Sequence, residues 1–263
     1  MTPGRPGSLL VVLPLTVHRY GSPVAPPLVL VHGLTDAGTA WPDLVRHWGD
    51  RWDVHAPDLR GHGRSPRFTA EELVAAPDVL LGDVVRLVGT LPAPAVLVGH
   101  SLGGLLALRA ALACPDRVAA LVLEDPARPS GDVPDPVFVA GQEQFLDSLG
   151  DLPAAVRRMV DEVRWSRAEA EAWAACKPLV DRAYVRHGLW LGDPAWEELF
   201  EALRVPTLLV VPPDAPMAPG ALVNDLVRRV VVPGAGHCVR RDQSDLYHEA
   251  VDAFLAEVAP TRA

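Results

Sequence analysis

The sequence lacks the features of several large protein classes. It has only three cysteines, and their spacing fits neither a disulfide framework nor a metal site. An odd cysteine count favours free thiols in a reducing compartment, so we expect a cytoplasmic protein. No apolar run reaches the roughly 18 residues of a membrane span. The net charge is -9 and the basic residues are scattered, which predicts no contact with nucleic acid.

The composition is that of a globular protein. Hydrophobic residues make up 49% and charged residues 22% of the chain. Its 263 residues suffice for one large α/β domain, with or without an insertion. An apolar run at residues 9–15 follows Arg5, but it is short and lacks a cleavage site, so it predicts a first β-strand rather than a signal sequence.

Short runs rich in valine and leucine alternate with helical patterns from residue 28 onward. This alternation predicts βαβ crossovers and a mostly parallel, doubly wound sheet with helices on both faces. The strand patterns cover residues 28–31, 52–56, 95–98, 118–123, 207–211 and 229–232. The helical patterns between and after them cover residues 41–48, 71–91, 102–113 and 246–258.

One region interrupts this alternation. Residues 126–205 contain no convincing strand; a proline-rich, non-helical passage comes first, and helical patterns follow at 143–149, 154–163, 167–180 and 194–203. The segment is longer than a crossover needs. We therefore predict a helical lid at 126–205, inserted into a core formed by 1–125 and 206–263. Four of the tryptophans lie in this lid: Trp165, Trp173, Trp190 and Trp196.

Ser101 lies in Gly99-His100-Ser101-Leu102-Gly103, between a predicted strand and a predicted helix. A serine hydroxyl must project from the backbone to reach a substrate, and it needs a neighbouring base to act as a nucleophile. A sharp strand-to-helix turn with a glycine on each side meets the first need. The start of the following helix favours developing negative charge. The sequence therefore predicts Ser101 as a catalytic nucleophile.

His237 is the predicted general base. It follows the glycine-rich loop Pro233-Gly234-Ala235-Gly236, after the last predicted strand and before the last helix. The carboxyl ends of parallel strands share one edge of the sheet, so His237 and Ser101 should meet there. The other eight histidines show no comparable context.

A tetrahedral intermediate needs two N–H donors directed at its oxyanion. The turn fixes the backbone N–H of Leu102 as one donor. The loop after strand 28–31 is His32-Gly33-Leu34-Thr35, where Gly33 allows close backbone approach. We predict the N–H of Leu34 as the second donor.

These residues together resemble the α/β-hydrolase superfamily. The resemblance is carried by His32-Gly33, by the run Asp58-Leu59-Arg60-Gly61-His62-Gly63-Arg64-Ser65, by the nucleophile turn and by Gly234-Ala235-Gly236-His237. It implies the α/β-hydrolase fold and hydrolysis of an ester, thioester, lactone or carbon–carbon bond, without cofactor or metal. Superfamily epoxide hydrolases and haloalkane dehalogenases use an aspartate nucleophile, so Ser101 argues against both.

The resemblance also implies an acidic residue between the serine and the histidine in chain order. Asp214 follows strand 207–211 and is the favoured acid. Pro212 and Pro213 stand where members often have a glycine, which leaves Asp125 or Glu124, after strand 118–123, as alternatives.

We therefore expect a serine hydrolase that cleaves an ester-type bond of a small, apolar substrate through an acyl-enzyme on Ser101. The alternatives are a carbon–carbon bond hydrolase or cyclase with the same triad, and a non-catalytic small-molecule-binding protein. The expected partner is a small molecule, with no nucleic acid and no membrane; the sequence predicts no oligomeric state.

Overall fold

A mostly parallel sheet forms the centre of the fold. The computed structural model describes residues 14–129, 131–192 and 195–258. Within these ranges the sheet has the strand order β1-β3-β2-β4-β5-β6-β7, and β1 is the strand that runs antiparallel to its neighbour. This confirms the predicted sheet. The strands are β1 Val17–Gly21, β2 Pro27–Val31, β3 Asp53–Pro57, β4 Ala95–His100, β5 Val118–Glu124, β6 Thr207–Val211 and β7 Val227–Val231.

Helices cover both faces of the sheet. No helix in the described part of the chain is long and apolar enough to cross a membrane. The α-helices are α1 Pro42–Trp48, α2 Ala70–Val74, α3 Ala76–Thr90, α4 Leu102–Ala113, α5 Pro136–Asp147, α6 Leu152–Asp161, α7 Arg167–Cys176, α8 Trp196–Glu201, α9 Val239–Asp242 and α10 Ser244–Val258.

Strand β2 shows why the central strands are continuously apolar. Leu28 and Leu30 belong to a core shared with α1 and α10, whereas Val29 and Val31 belong to a core shared with α3 and α4. Successive side chains of a strand point to opposite faces, so a strand covered on both faces needs apolar residues throughout. Each such side chain contributes about 1.5–3 kcal/mol on burial.

Two elements differ from the sequence prediction. The helix predicted at 71–91 is divided into α2 and α3, because Pro77 lacks the N–H that would bond back to Leu73. Strand β1 was not predicted, since its residues alternate between exposed and half-buried positions instead of forming an apolar run. The strand predicted at 9–15 falls almost entirely outside the described residues.

The segment between β5 and β6 contains α5 to α8, in agreement with the predicted helical patterns. Helix α5 begins at Pro136, however, within the passage that we predicted to be non-helical. Proline is well tolerated in the first helical turn, and the Asp135 carboxylate accepts from the N–H of Val137 at 2.9 Å, which caps the helix. Trp165 and Trp173 form a small separate core here with residues of α6 and α7.

Candidate active site

Ser101 lies at the sharp turn between β4 and α4. Its backbone φ of +52° is rare for a residue with a side chain, and such strain persists only where the surroundings hold it. A Cβ on Gly103 would overlap the carbonyl of Val31, and one on Gly99 would overlap the backbone of Gly103. The two flanking glycines are therefore required by close backbone packing, as the motif predicts.

His237 lies at the same sheet edge, in the loop after β7. Its Nδ1 is 2.7 Å from Oδ2 of Asp125, and the Asp125 side chain is 3% exposed. A carboxylate can only accept, so Nδ1 of His237 donates, and in the neutral imidazole Nε2 is left as an acceptor. This is the tautomer that a general base for Ser101 requires.

In the structure, Asp125 contacts His237, whereas the favoured Asp214 does not. Asp214 is exposed in the loop after β6, and among the described residues no hydrogen bond joins it to His237. The reason is strand order: β5 pairs directly with β4, so its end lies next to Ser101, whereas β6 is one strand further away. Our preference for Asp214 is corrected accordingly, in favour of one of the two alternatives.

Glu124, the other alternative acid, is engaged elsewhere. Its two carboxylate oxygens accept from the backbone N–H and from Nη1 of Arg240, each at 2.8 Å. Both side chains are buried. Glu124 therefore has no free oxygen directed at His237.

Ser101 and His237 line the same cavity, but no hydrogen bond joins their side chains within the described ranges. Catalytic hydrogen bonds in unliganded enzymes are often long and tighten only when substrate binds. His100 contacts His237: its Nε2 donates to the carbonyl of His237 at 3.1 Å, and the centres of the two rings are 4.7 Å apart. Burial and then the neighbouring His237 lower the pKa of His100 well below its ordinary value.

The loop after β2, which contains the predicted oxyanion donor Leu34, approaches Ser101 at Gly33. A Cβ on Gly33 would lie 2.8 Å from Nδ1 of His100 and 3.4 Å from Cβ of Ser101. The Gly33 carbonyl accepts from Nδ1 of His32 at 2.8 Å. That carbonyl shares its peptide group with the N–H of Leu34, so the bond orients the predicted donor. Leu102, the other predicted donor, opens α4, where backbone N–H groups have no partner within the helix.

His62 was not singled out by its local sequence, yet it contacts this loop. Its Nε2 is hydrogen-bonded to the carbonyl of Leu34, and its Nδ1 is 3.0 Å from the carbonyl of Arg60. His62 lies in the run 58–65, which carries part of the family resemblance. Membership in that run is the sequence signal that could have singled it out.

Four buried charged side chains form a cluster beside the cavity. Lys177 and Arg241 each bind a different oxygen of Asp36, at 2.8 and 2.9 Å, and Arg241 also binds Glu169 at 2.9 Å. Burial alone would raise the pKa of Asp36, but Arg241 and Lys177 hold it well below its ordinary value. The cluster ties the loop after β2 to α7 and α9, and its charges balance.

The cavity above Ser101 has a volume of about 710 Å³. Most of its wall is apolar, and the segment between β5 and β6 supplies much of that wall. Trp165 and Trp173 line it, whereas Trp196 is buried in the main core. The apolar wall also includes Leu34, Phe138, Phe145, Met159, Leu191 and Met217.

No group of three or more potential metal ligands occurs among the described residues.

Comparison with known proteins identifies the family. A model of the alpha/beta hydrolase family matches residues 28–250. A pimeloyl-[acyl-carrier protein] methyl ester esterase of Stenotrophomonas maltophilia is 30% identical over 262 residues, covering 89% of this chain and 95% of that protein. Lipase LipV of Mycobacterium tuberculosis is 44% identical over 122 residues, covering 44% of this chain. That match spans only 43% of the lipase.

A solved structure of similar fold is a thermophilic esterase from Thermogutta terrifontis. It superimposes with a TM-score of 0.68, covers 94% of both chains and is 24% identical. At this identity the likeness concerns the fold.

Proposed function

We propose that this chain, which belongs to the alpha/beta hydrolase family, is a serine hydrolase that cleaves an ester-type bond of a small, apolar substrate. The observation that carries the proposal is the 2.7 Å contact between His237 and Asp125 beside Ser101, at the floor of an apolar cavity. The substrate bond is an ester, thioester or lactone. The esterase and lipase names of the relatives support this reaction class.

The reaction runs through an acyl-enzyme. Nε2 of His237 takes the proton of Ser101 while Oγ of Ser101 attacks the carbonyl carbon. Asp125 keeps the imidazole in the required tautomer and stabilises it when it is protonated. His237 then gives the proton to the leaving alcohol or thiol, and the carbon–oxygen or carbon–sulfur bond breaks. Water repeats these steps on the acyl-enzyme and releases the acid.

The oxyanion of each tetrahedral intermediate is held by the N–H groups of Leu34 and Leu102. Removal of one such donor typically costs about 10²–10³-fold in kcat. The Gly33–Leu34 peptide is already fixed by His32, so little reorganisation is needed when the charge develops.

The cavity walls indicate the substrate class. A volume of about 710 Å³ lies within the range of small-molecule sites. Trp165, Trp173 and Phe145 favour an apolar or aromatic acyl group over a strongly polar one. We propose that residues 126–205 act as a lid over Ser101, because α5, α6 and α7 each contribute a side chain to the wall.

We propose a cytoplasmic location as well. The cysteines Cys114, Cys176 and Cys238 are all unpaired, as expected in a reducing compartment.

Burial raises the pKa of Cys238 to about 11, so this thiol beside His237 stays protonated and does not compete as a nucleophile.

The test is a panel of p-nitrophenyl esters from acetate to decanoate, run beside thioesters and lactones, with Ser101→Ala as the control. We expect turnover of the apolar esters, and a loss of about 10⁴–10⁶-fold in the variant. Ester turnover that survives in Ser101→Ala would overturn the proposal. Binding without turnover across the whole panel would favour a non-catalytic binding protein.

A further inference from the structure

Glu124 and Arg240 form a buried ion pair next to the proposed triad. The side chains are 0% and 2% exposed, and one carboxylate receives both the Arg240 backbone N–H and its Nη1, each at 2.8 Å. The pair therefore fixes the backbone of Arg240 as well as its side chain.

This pair joins the segment that carries Ser101 and Asp125 to the segment that carries His237. Glu124 immediately precedes Asp125, and its carbonyl accepts the N–H of Ser101 at 3.0 Å. Arg240 lies three residues after His237. Glu124 is thus linked to Ser101 and Asp125 through its backbone, and its side chain ties that backbone to Arg240, three residues after His237.

Asp125 needs such support. Its backbone φ is +36°, in the region that residues with side chains rarely adopt. Its Oδ1 is buried and, within the described ranges, has no hydrogen-bond partner. The carboxylate is therefore oriented by its one bond to His237 and by the position of its backbone, which Glu124 helps to fix.

Arg240 is itself held in place. Its Nη2 donates to the carbonyl of Ala40 at 3.0 Å, and its guanidinium lies 4.0 Å from the ring centre of Trp41. An arginine bound on three sides offers Glu124 one fixed partner. A lysine presents a compact point charge and cannot reproduce this fork.

Stability alone is a poor explanation for the pair. Burying two charges costs desolvation energy, and well-packed apolar residues often serve stability equally well. An ion pair between the segments of Asp125 and His237 can fix their relative position, because its hydrogen bonds are directional. An apolar pair lacks such bonds.

We propose that Glu124 and Arg240 are positioning residues that set the distance between Asp125 and His237, an inference that rests on the triad proposed above. Neither residue touches substrate. Loss of either one is expected to lower kcat and to leave KM unchanged.

The test compares Glu124→Gln and Arg240→Lys with Asp83→Asn. Asp83 forms an equally buried ion pair with Arg60, at 2.9 Å, and neither of these two residues lines the cavity. We expect kcat to fall about 100-fold in Glu124→Gln, the effect of a misplacement of about 1 Å. Asp83→Asn should lose stability but keep kcat. Should Glu124→Gln not fold, Arg240→Lys provides the same comparison.

A double variant separates positioning from independent effects. Because the two residues act as one unit, Glu124→Gln with Arg240→Lys should lose no more kcat than the worse single variant. Losses that multiply, or a kcat in Asp83→Asn as low as in Glu124→Gln, would overturn the proposal.

A second measurement does not depend on turnover. The proton on Nδ1 of His237 should give a downfield proton NMR signal, assigned by its loss in His237→Asn. We expect the signal to move or vanish in Glu124→Gln and to persist in Asp83→Asn. An unchanged signal in Glu124→Gln would refute the positioning role. If the wild-type protein hydrolysed no ester, this signal would still decide the role of the pair.

Discussion

Nζ of Lys177 lies 2.8 Å from Oδ1 of Asp36, although 141 residues separate them in the chain. The same ammonium donates to the carbonyl and to the hydroxyl of Thr35 at 2.9 and 3.0 Å. These bonds therefore hold the loop after β2, which contains the proposed oxyanion donor Leu34, against the end of α7. We infer that α7 is a fixed wall of the cavity.

Lys177→Met should destabilise the protein strongly, because it leaves the buried carboxylate of Asp36 with one cation fewer. Breaking one side of a buried ion pair costs about 3–5 kcal/mol. Urea unfolding measures this loss. The control is Arg228→Met, which breaks an exposed pair with Glu257 and should cost far less stability, because water and salt screen exposed charges. Equal losses in the two variants would contradict the anchoring role of Lys177.

Asp125→Asn should lower kcat by about 10⁴-fold, since an amide favours the wrong tautomer of His237, the proposed base. Asp214→Asn is the matched control at the position that the sequence favoured, and it should retain full activity. Steady-state kinetics on one apolar p-nitrophenyl ester distinguishes the two. The opposite ranking would restore Asp214 as the acid.

Gly103→Ala should destabilise the fold by about 3 kcal/mol or more, because the added methyl group overlaps the Val31 carbonyl in a packed interior. Gly141→Ala is its control: this exposed glycine lies inside α5 with open space around it. That change should stabilise by about 0.5–1 kcal/mol. Thermal unfolding measures both, and a well-folded Gly103→Ala protein would contradict the tight turn.

Stability should fall as the pH drops below 6.5. Burial, and then the neighbouring His62, lower the pKa of His32 from 6.5 to about 3. Between these values the unfolded chain binds a proton at His32 and the folded protein does not, so folding becomes less favourable toward acid. One such group changes the free energy of unfolding by at most about 1.4 kcal/mol per pH unit. Urea unfolding from pH 7 to 4 should show a shallower slope in His32→Asn, and an identical slope would refute the assignment.

Ser101 and His237 could be singled out from the sequence because their signals are local. Ser101 needs a strand, two glycines and a helix in direct succession, and His237 needs a glycine-rich loop at a strand end. The apolar strands were predictable for the same reason, since burial on both faces leaves continuous valine and leucine runs.

The carboxylate that contacts His237 was not predictable in this way. Asp125 and Asp214 both follow a buried strand, and the choice depends on which strand lies beside β4, a property of the whole sheet. The ion pairs of Lys177 and Arg240 join residues more than 100 positions apart, so no local pattern reveals them. The start of α5 was missed because proline, which breaks a helix interior, is also a favourable first helical residue.

In the proposed mechanism, Ser101 forms the covalent intermediate. The most direct measurement is intact-protein mass spectrometry with peptide mapping after reaction with a fluorophosphonate, beside the His237→Asn variant. We expect one adduct, on the peptide that carries Ser101, and we expect it to form far more slowly in the variant. No adduct on Ser101 in a protein that hydrolyses esters, or an adduct on another residue, would contradict it.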